Sequence, residues 1–393
     1  MNINHDLLPW GNSDFRKNPY PWYARLQKEH PLYRENDKTW VITRYSDYME
    51  FVRHPAMTIV EPDWVGTHPW RAIESTVQGT EGADHTRLRR HSNKWFTPKL
   101  VKEWVKHAAE ITLESLKHVD AQGHLEAHHH LCVMPSHVTM CRVLQVDEGD
   151  VDRVIQNTLK IVGAQSPTAT EANKATAREG FDFLFGKCRA MIAAKREQPG
   201  DGLLDALLSA QDKGELSEKE VLETLLLFYF SGAPNPAFIL ASILDHFTRE
   251  PELLALYREN PEQRSAMINE FIRLYPPEMS FVRFLTEDVE IHGQLLPRGS
   301  CLRFMTAAVN RDPAVFAQPH NFNHLRGGQE SQQVSFGVGA HSCAGQVITR
   351  AEVETVLSII TERYSRIESA GEPLTLSDDR IRNYLELPLR FIA

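Results

Sequence analysis

One of five cysteines, Cys343, stands in a glycine-rich stretch, Phe-Gly-Val-Gly-Ala-His-Ser-Cys-Ala-Gly at 336–345. Gly337 and Gly339 carry no Cβ, so the backbone there can take positive φ and approach a flat group closely. Beyond the cysteine, Val347, Ile348, Val353, Val356 and Ile359 recur at helical spacing, which places Cys343 at the N-terminal end of a helix. The dipole and free N–H groups of that end favour an anionic sulfur. The same N–H groups can tune a metal through hydrogen bonds to the sulfur. A thiolate so placed can ligate iron, and as the axial ligand of haem it pushes electron density onto the metal and favours O–O cleavage. A plain glycine loop holding a buried, inert cysteine is the other reading of these ten residues.

The pattern Phe336-Gly-x-Gly-x-His-x-Cys343-x-Gly345, followed by Arg350, resembles the cysteine-ligand loop of the cytochrome P-450 superfamily. The resemblance runs from Asn18-Pro-Tyr-Pro to Leu387-Pro-Leu-Arg-Phe. It implies a mainly α fold with small β regions, a single domain over 1–393, and haem b (iron protoporphyrin IX) between a long distal helix and the cysteine loop with its proximal helix. It also implies oxygen activation, with electrons from NAD(P)H passing through a reductase and a separate ferredoxin or flavodoxin. Phe336 and Gly337 then lie against the haem.

The same resemblance gives roles to residues that mean little alone. His85 and Arg89 are four apart and share a helical face; they match the family's His-x-x-x-Arg, which holds a haem propionate. Arg283 and His341 match two further propionate contacts, and charge-assisted bonds from Arg and His suit a buried carboxylate. Glu270 and Arg273, just before Pro276-Pro277, match the family's Glu-x-x-Arg, and Arg326 matches the arginine that completes this ion cluster. These three are structural and pin the segment that carries Cys343.

The chain departs from the family in its distal helix. Ser217-Glu-Lys-Glu220 is a capping box with Leu216 and Val221 as a hydrophobic staple, and an apolar helix follows to about Phe247. Where the family pattern is Gly-x-acid-alcohol-Thr, this chain has Gly232-Ala-Pro-Asn-Pro236. Pro234 stands in place of the acid and Asn235 in place of the alcohol. Proline relays no proton, and an amide does not titrate usefully. Pro234 and Pro236 also remove N–H donors, so the helix must kink or open at 232–236. Three outcomes stay open: Asn235 with ordered water or the freed carbonyls manages protons; the substrate supplies the polar group; or the enzyme uses peroxide or performs a non-hydroxylating oxidation. Gly232, Pro234 and Asn235 are the residues expected beside bound oxygen.

By family position, substrate contacts come from 60–82, 228–235, 279–281 and 383–385, with Trp64, Trp70, Phe228, Phe281 and Tyr384 lining an aromatic cavity around a small molecule. Each is also a reasonable core residue. His128-His-His130 lacks the cysteine or carboxylate set of a zinc site and is expected to be a polar surface or a haem-distant stretch. Arg87, Arg90, Lys94 and Lys99 form either an ordinary solvated face or a patch that attracts an acidic ferredoxin.

The elements that must position these groups are mostly helical. Residues 39–43 read as a strand, and 289–293 with 295–299 as a hairpin. A net charge of −9 argues against a nucleic-acid surface. Five unpaired-looking cysteines fit a reducing cytoplasm. Met-Asn-Ile-Asn-His-Asp shows no leader pattern, and with no run of about eighteen apolar residues no membrane span is expected. The expected activity is monooxygenation, hydroxylating or O-dealkylating a small apolar or aromatic molecule. A peroxide-driven or non-hydroxylating enzyme and a non-catalytic haem ligand-binding protein are the alternatives.

Overall fold

A computed structural model describes residues 7–232 and 234–393. The leader expectation rests on residues 1–6 and lies outside the described residues, as does Ala233 of the distal motif. Long helices, Pro98–Ser115, Glu171–Glu197, Pro234–Arg249 and Gln346–Arg363, make the bulk of the molecule. A five-stranded sheet sits to one side, in the order Leu32–Arg34, Thr39–Ile42, Cys301–Phe304, Phe281–Leu285, Met57–Thr58. Its middle pair, Thr39–Ile42 with Cys301–Phe304, is parallel and the others antiparallel. The expected hairpin is present as Val289–Ile291 against Gln294–Leu296. Its turn residues, His292 and Gly293, both have positive φ (50° and 74°), the requirement of a tight two-residue hairpin.

The distal helix forms in two pieces. Ser217 and Glu220 cap Glu218–Ser231 reciprocally. Gly232 keeps helical dihedrals (φ −69°, ψ −28°) with its N–H on the Phe228 carbonyl at 3.2 Å, and the second piece is Pro234–Arg249. Proline at the start of the second piece is harmless, because the first N–H groups of a helix have no partner inside it. Glu218–Arg249 is apolar and long enough to span a membrane, contrary to the reading of apolar runs above, but 76% of its most apolar window is buried within the protein. Ile243, Leu244 and Phe247 of the distal helix pack with Val353, Val356 and Ile360 of Gln346–Arg363 in one apolar cluster. The two helices that frame the site are therefore fixed by shared core.

Asp379 ties distant segments together near that site. It accepts from Arg16 Nη2 at 2.8 Å, Arg16 Nε at 2.9 Å, the Gly11 N–H at 3.0 Å and Thr168 Oγ1 at 2.7 Å. Burial raises this carboxyl, but the bonds from Arg16, Gly11 and Thr168 outweigh it and hold it below its ordinary value. The stability it contributes is therefore present above the unfolded carboxyl's range and lost as pH falls. Asp379→Asn is expected to cost about 1–3 kcal/mol at neutral pH. Urea unfolding should show the gap between variant and parent closing in acid, as the parent carboxylate protonates.

Candidate active site

The cysteine loop is shaped by its glycines. Gly337 and Gly339 have φ of +68° and +86°. The Cys343 N–H donates to the Phe336 carbonyl at 2.8 Å, and the Gly337 N–H to Val334 at 2.9 Å. The loop thus curls and turns the sulfur toward one large cavity of about 500 Å³, within the range of small-molecule and cofactor sites. The helix begins at Gln346, three residues past the cysteine. The N–H groups of Gly345 and Gln346 bond toward the sulfur and Arg89 lies near it, yet burial dominates and pushes the thiol up. A bound cation would reverse that balance, since metal coordination deprotonates a thiol outright. The Arg350 guanidinium sits 5.1 Å over the Phe336 ring and fixes the loop's outer side.

Arg89, Arg283 and His341 line the same cavity. Arg89 donates to the Ser342 carbonyl. Arg283 donates to its neighbour's carbonyl, Val282, at 2.8 Å and pairs with no carboxylate among the described residues. His341 is not open: Nε2 lies 3.0 Å from Glu81 Oε2 and Nδ1 3.2 Å from the Val77 carbonyl. His85 lies against it with ring centroids 4.1 Å apart and planes tilted by 44°, and its buried Nε2 has no partner. Burial, His341 and Arg89 all push His85 down. Glu81, which the sequence reading passed over, thus places a carboxylate among the very groups expected to take a propionate.

The donor set fits haem. A lone thiol faces the cavity with the backbone N–H groups of Gly345 and Gln346 beside it. A buried imidazole nitrogen is orphaned, and Arg283 lacks an anion. A Cβ on Gly337 would meet nothing nearer than 3.9 Å, so the loop leaves room for a flat ring.

Across the cavity wall, Gly232, Pro234 and Asn235 all face in. A Cβ on Gly232 would meet Met140 Cε at 2.6 Å, so a larger residue here would have to push the Met140 side chain aside. Trp70, Phe228 and Phe281 also line the cavity. Trp64 does not: it is 41% exposed and its indole donates to the Gly299 carbonyl at 2.8 Å. Tyr384 is buried elsewhere, its hydroxyl on Asp245 at 3.1 Å and its ring against Phe238. Both are amphipathic rings whose polar tips found partners away from the cavity. The roof also holds Arg380, bonded to Gln165, Glu278 and the Ser280 carbonyl.

Two outlying expectations change. His128 is buried on the irregular turn His128–Val133 rather than on a polar surface. Arg87 is engaged by Glu220 at 2.5 Å and Asp84 at 3.1 Å, which leaves Arg90, Lys94 and Lys99 exposed. The ion cluster is intact: Glu270 accepts from Arg273 at 2.7 Å and Arg326 at 3.1 Å, all three side chains buried.

A mainly helical fold around a thiol-lined apolar cavity defines the haem-thiolate class of enzymes. The profile described as Cytochrome P450 matches residues 8–381, and the chain belongs to that family of haem monooxygenases. It is 28% identical to cytochrome P450 CYP107DY1 of Priestia megaterium, over 94% of this chain and 95% of that one. It is 28% identical to the mycinamicin IV hydroxylase/epoxidase of Micromonospora griseorubida, over 93% and 94% of the two chains. The solved structure of Mycobacterium smegmatis CYP164A2 has the same fold, with a TM-score of 0.89 at 24% identity, covering 98% of each chain.

Proposed function

We propose that this enzyme uses O2 to hydroxylate or O-dealkylate a small apolar or aromatic molecule, with the whole chain acting as one domain in the cytoplasm. The observation that carries the reading is Cys343 Sγ turned into an apolar cavity whose wall includes the broken distal helix. Haem b, when bound, supplies the oxygen-activating chemistry, and the protein supplies orientation and proton management. Cys343 holds the iron through sulfur. Arg89, Arg283, His85 and His341 hold the propionates, with Glu81 yielding His341 on binding. Trp70, Phe228 and Phe281 give the substrate an apolar wall. Gly232 lies against Met140, and Asn235 would offer an amide to the cavity from the distal wall. Electrons come singly from NAD(P)H through a reductase and a ferredoxin or flavodoxin, for which exposed Arg90, Lys94 and Lys99 offer a basic face. Relatives described as hydroxylases and epoxidases support the oxygen chemistry.

The test pairs a visible-spectrum screen of the ferric protein with labelled-oxygen turnover. A spin shift with one ligand class identifies the substrate lead. Turnover under 18O2 with surrogate redox partners should place one labelled atom in a hydroxylated product. Pro234 and Asn235 favour a second reading, a peroxide-driven reaction. In that case label enters only from peroxide, and Pro234→Asp with Asn235→Thr gives no gain in oxygen-driven turnover.

A further inference from the structure

A second, smaller cavity of about 120 Å³ shares no wall residue with the large one. One wall is the helix Tyr20–Glu29, which gives Tyr20, Tyr23, Ala24 and Gln27, the spacing of a single helical face. The other is the chain beyond Thr306–Val309, with Arg311, Pro313 and His320. Most of the lining is carbon. Against roughly 30 Å³ per water in the liquid, the space takes a few waters or one compact organic molecule. Ala24, Pro313 and His320 are exposed and mark the mouth, while Tyr23 is 1% exposed and lies at the floor.

Arg311 makes this cavity more than a packing gap. Its guanidinium carbon lies 3.6 Å from the centre of the Tyr20 ring. Nη2 donates to the Leu274 carbonyl at 2.8 Å and Nη1 to His320 Nδ1 at 3.1 Å. Nε is buried and has no partner. No carboxylate pairs with Arg311 among the described residues. The adjacent Asp312 is spent on the N–H groups of Tyr45 and Ala314, at 2.8 and 2.9 Å. The formal charges acting on Arg311 are Arg273 and Arg382, both cations. Glu270 answers Arg273, whereas Arg382 donates to the carbonyls of Arg16 and Lys17. A buried charge is ordinarily paired, and a guanidinium does not escape the cost by losing its proton. The Tyr20 face offsets part of that cost by cation–π attraction, but it gives Nε no acceptor.

Two further donors stand in the same wall. The Tyr23 hydroxyl is buried without a partner, and burial raises the phenol, so the O–H keeps its proton. A guanidinium can only donate, so His320 Nδ1 accepts from Arg311 and the neutral ring carries its proton on Nε2. Burial and the cations Arg311 and Arg273 push His320 down and keep it neutral. Gln27 spends both amide hydrogens on the Thr43 and Ala308 carbonyls.

We propose that this cavity binds a small carboxylate with a compact apolar body, its oxygens received by Arg311 Nε and Tyr23 Oη and its carbon body held among Tyr20, Ala24 and Pro313. A neutral molecule leaves the cation unpaired, and a phosphate turns oxygens onto carbon walls. The site lies apart from the catalytic cavity and is independent of the reaction read there. Arg311 also holds Leu274, the last residue of the helix that carries Glu270 and Arg273, so an occupant adds to the anchoring of that helix.

Calorimetric titration of the haem-loaded protein with benzoate tests this, the iron being first saturated with an azole inhibitor. The azole fills the large cavity, and the Soret band reports whether it stays bound. One benzoate should bind per chain, with benzamide and inorganic phosphate weaker by about tenfold or more. Ala24→Phe, at the exposed mouth, should fold normally and abolish binding. Tyr23→Phe removes only an unpartnered hydroxyl and should weaken benzoate by about tenfold. Arg311→Gln should abolish binding too, and the other two variants carry the test if losing the Leu274 bond prevents folding. No benzoate binding, equal binding of benzamide or phosphate, or parent-like affinity in Ala24→Phe and Tyr23→Phe overturns the proposal. Benzoate that displaces the azole belongs to the large cavity and overturns it equally.

Discussion

Cys343→Ser is expected to fold and to lose oxygen-driven product formation to below about one thousandth of the parent. The substitution keeps the backbone bond from residue 343 to Phe336 and changes one cavity-facing atom. Little apolar packing is lost, so stability should stay within about 0.5 kcal/mol. The chemistry is another matter. Serine offers a hard alcohol in place of a soft, readily ionised sulfur, and the ligand's electron donation is the property that favours O–O cleavage. The N–H groups of Gly345 and Gln346, which bond toward the sulfur, cannot ionise an alcohol at neutral pH. Labelled-oxygen turnover, haem content and the Soret band of the reduced carbon monoxide complex check this. Turnover within tenfold of the parent would sink the assignment of Cys343 as ligand.

Glu270→Gln should destabilise the protein by about 3–5 kcal/mol, the usual cost of breaking a buried ionic group from one side. Glu270 takes Arg273 Nη2 at 2.7 Å, Arg273 Nε at 2.8 Å, Arg326 Nε at 3.1 Å and the Asn323 N–H at 3.0 Å. Glutamine keeps the shape but turns an N–H2 toward donors and leaves the buried Arg273 guanidinium without an anion, while Arg326 keeps only Glu330 at 2.9 Å. The damage reaches the cysteine loop by a traceable path. Arg273 donates to the Asn310 carbonyl at 2.8 Å. Asn310 accepts from the Val334 N–H and donates to Ser335 Oγ, each at 2.8 Å. Ser335 in turn donates to the Ile272 carbonyl at 2.9 Å. Haem retention should therefore fall with stability. Urea unfolding followed by fluorescence and by the Soret band measures both, and a loss under about 1 kcal/mol would contradict the role given to the cluster.

Much of this enzyme was legible before any coordinates. The cysteine loop reads from sequence because its chemistry is local: glycines, one sulfur and a following helix lie within ten residues. The break in the distal helix reads for the same reason, since two prolines remove donors wherever they stand. Glu270, Arg273 and Arg326 were legible only through the family pattern, because nothing local separates Glu-x-x-Arg from a surface pair. Trp64 and Tyr384 were misplaced, since an aromatic's composition does not say which way its ring turns or which partner its polar tip finds.

Sequence alone determined the family pattern, the prolines of the distal helix and the shape of the glycine-cysteine loop, because short-range covalent and backbone rules govern them. Tertiary structure decided the rest. It brought Glu81 to His341 across 260 residues and Glu352 to Ser136 across 216. A glutamate at an apolar helical position was the one trace of the second contact in the sequence. Whether such a carboxyl is solvated or neutral and buried depends on which helix packs over it, and that is fixed only when the whole core closes.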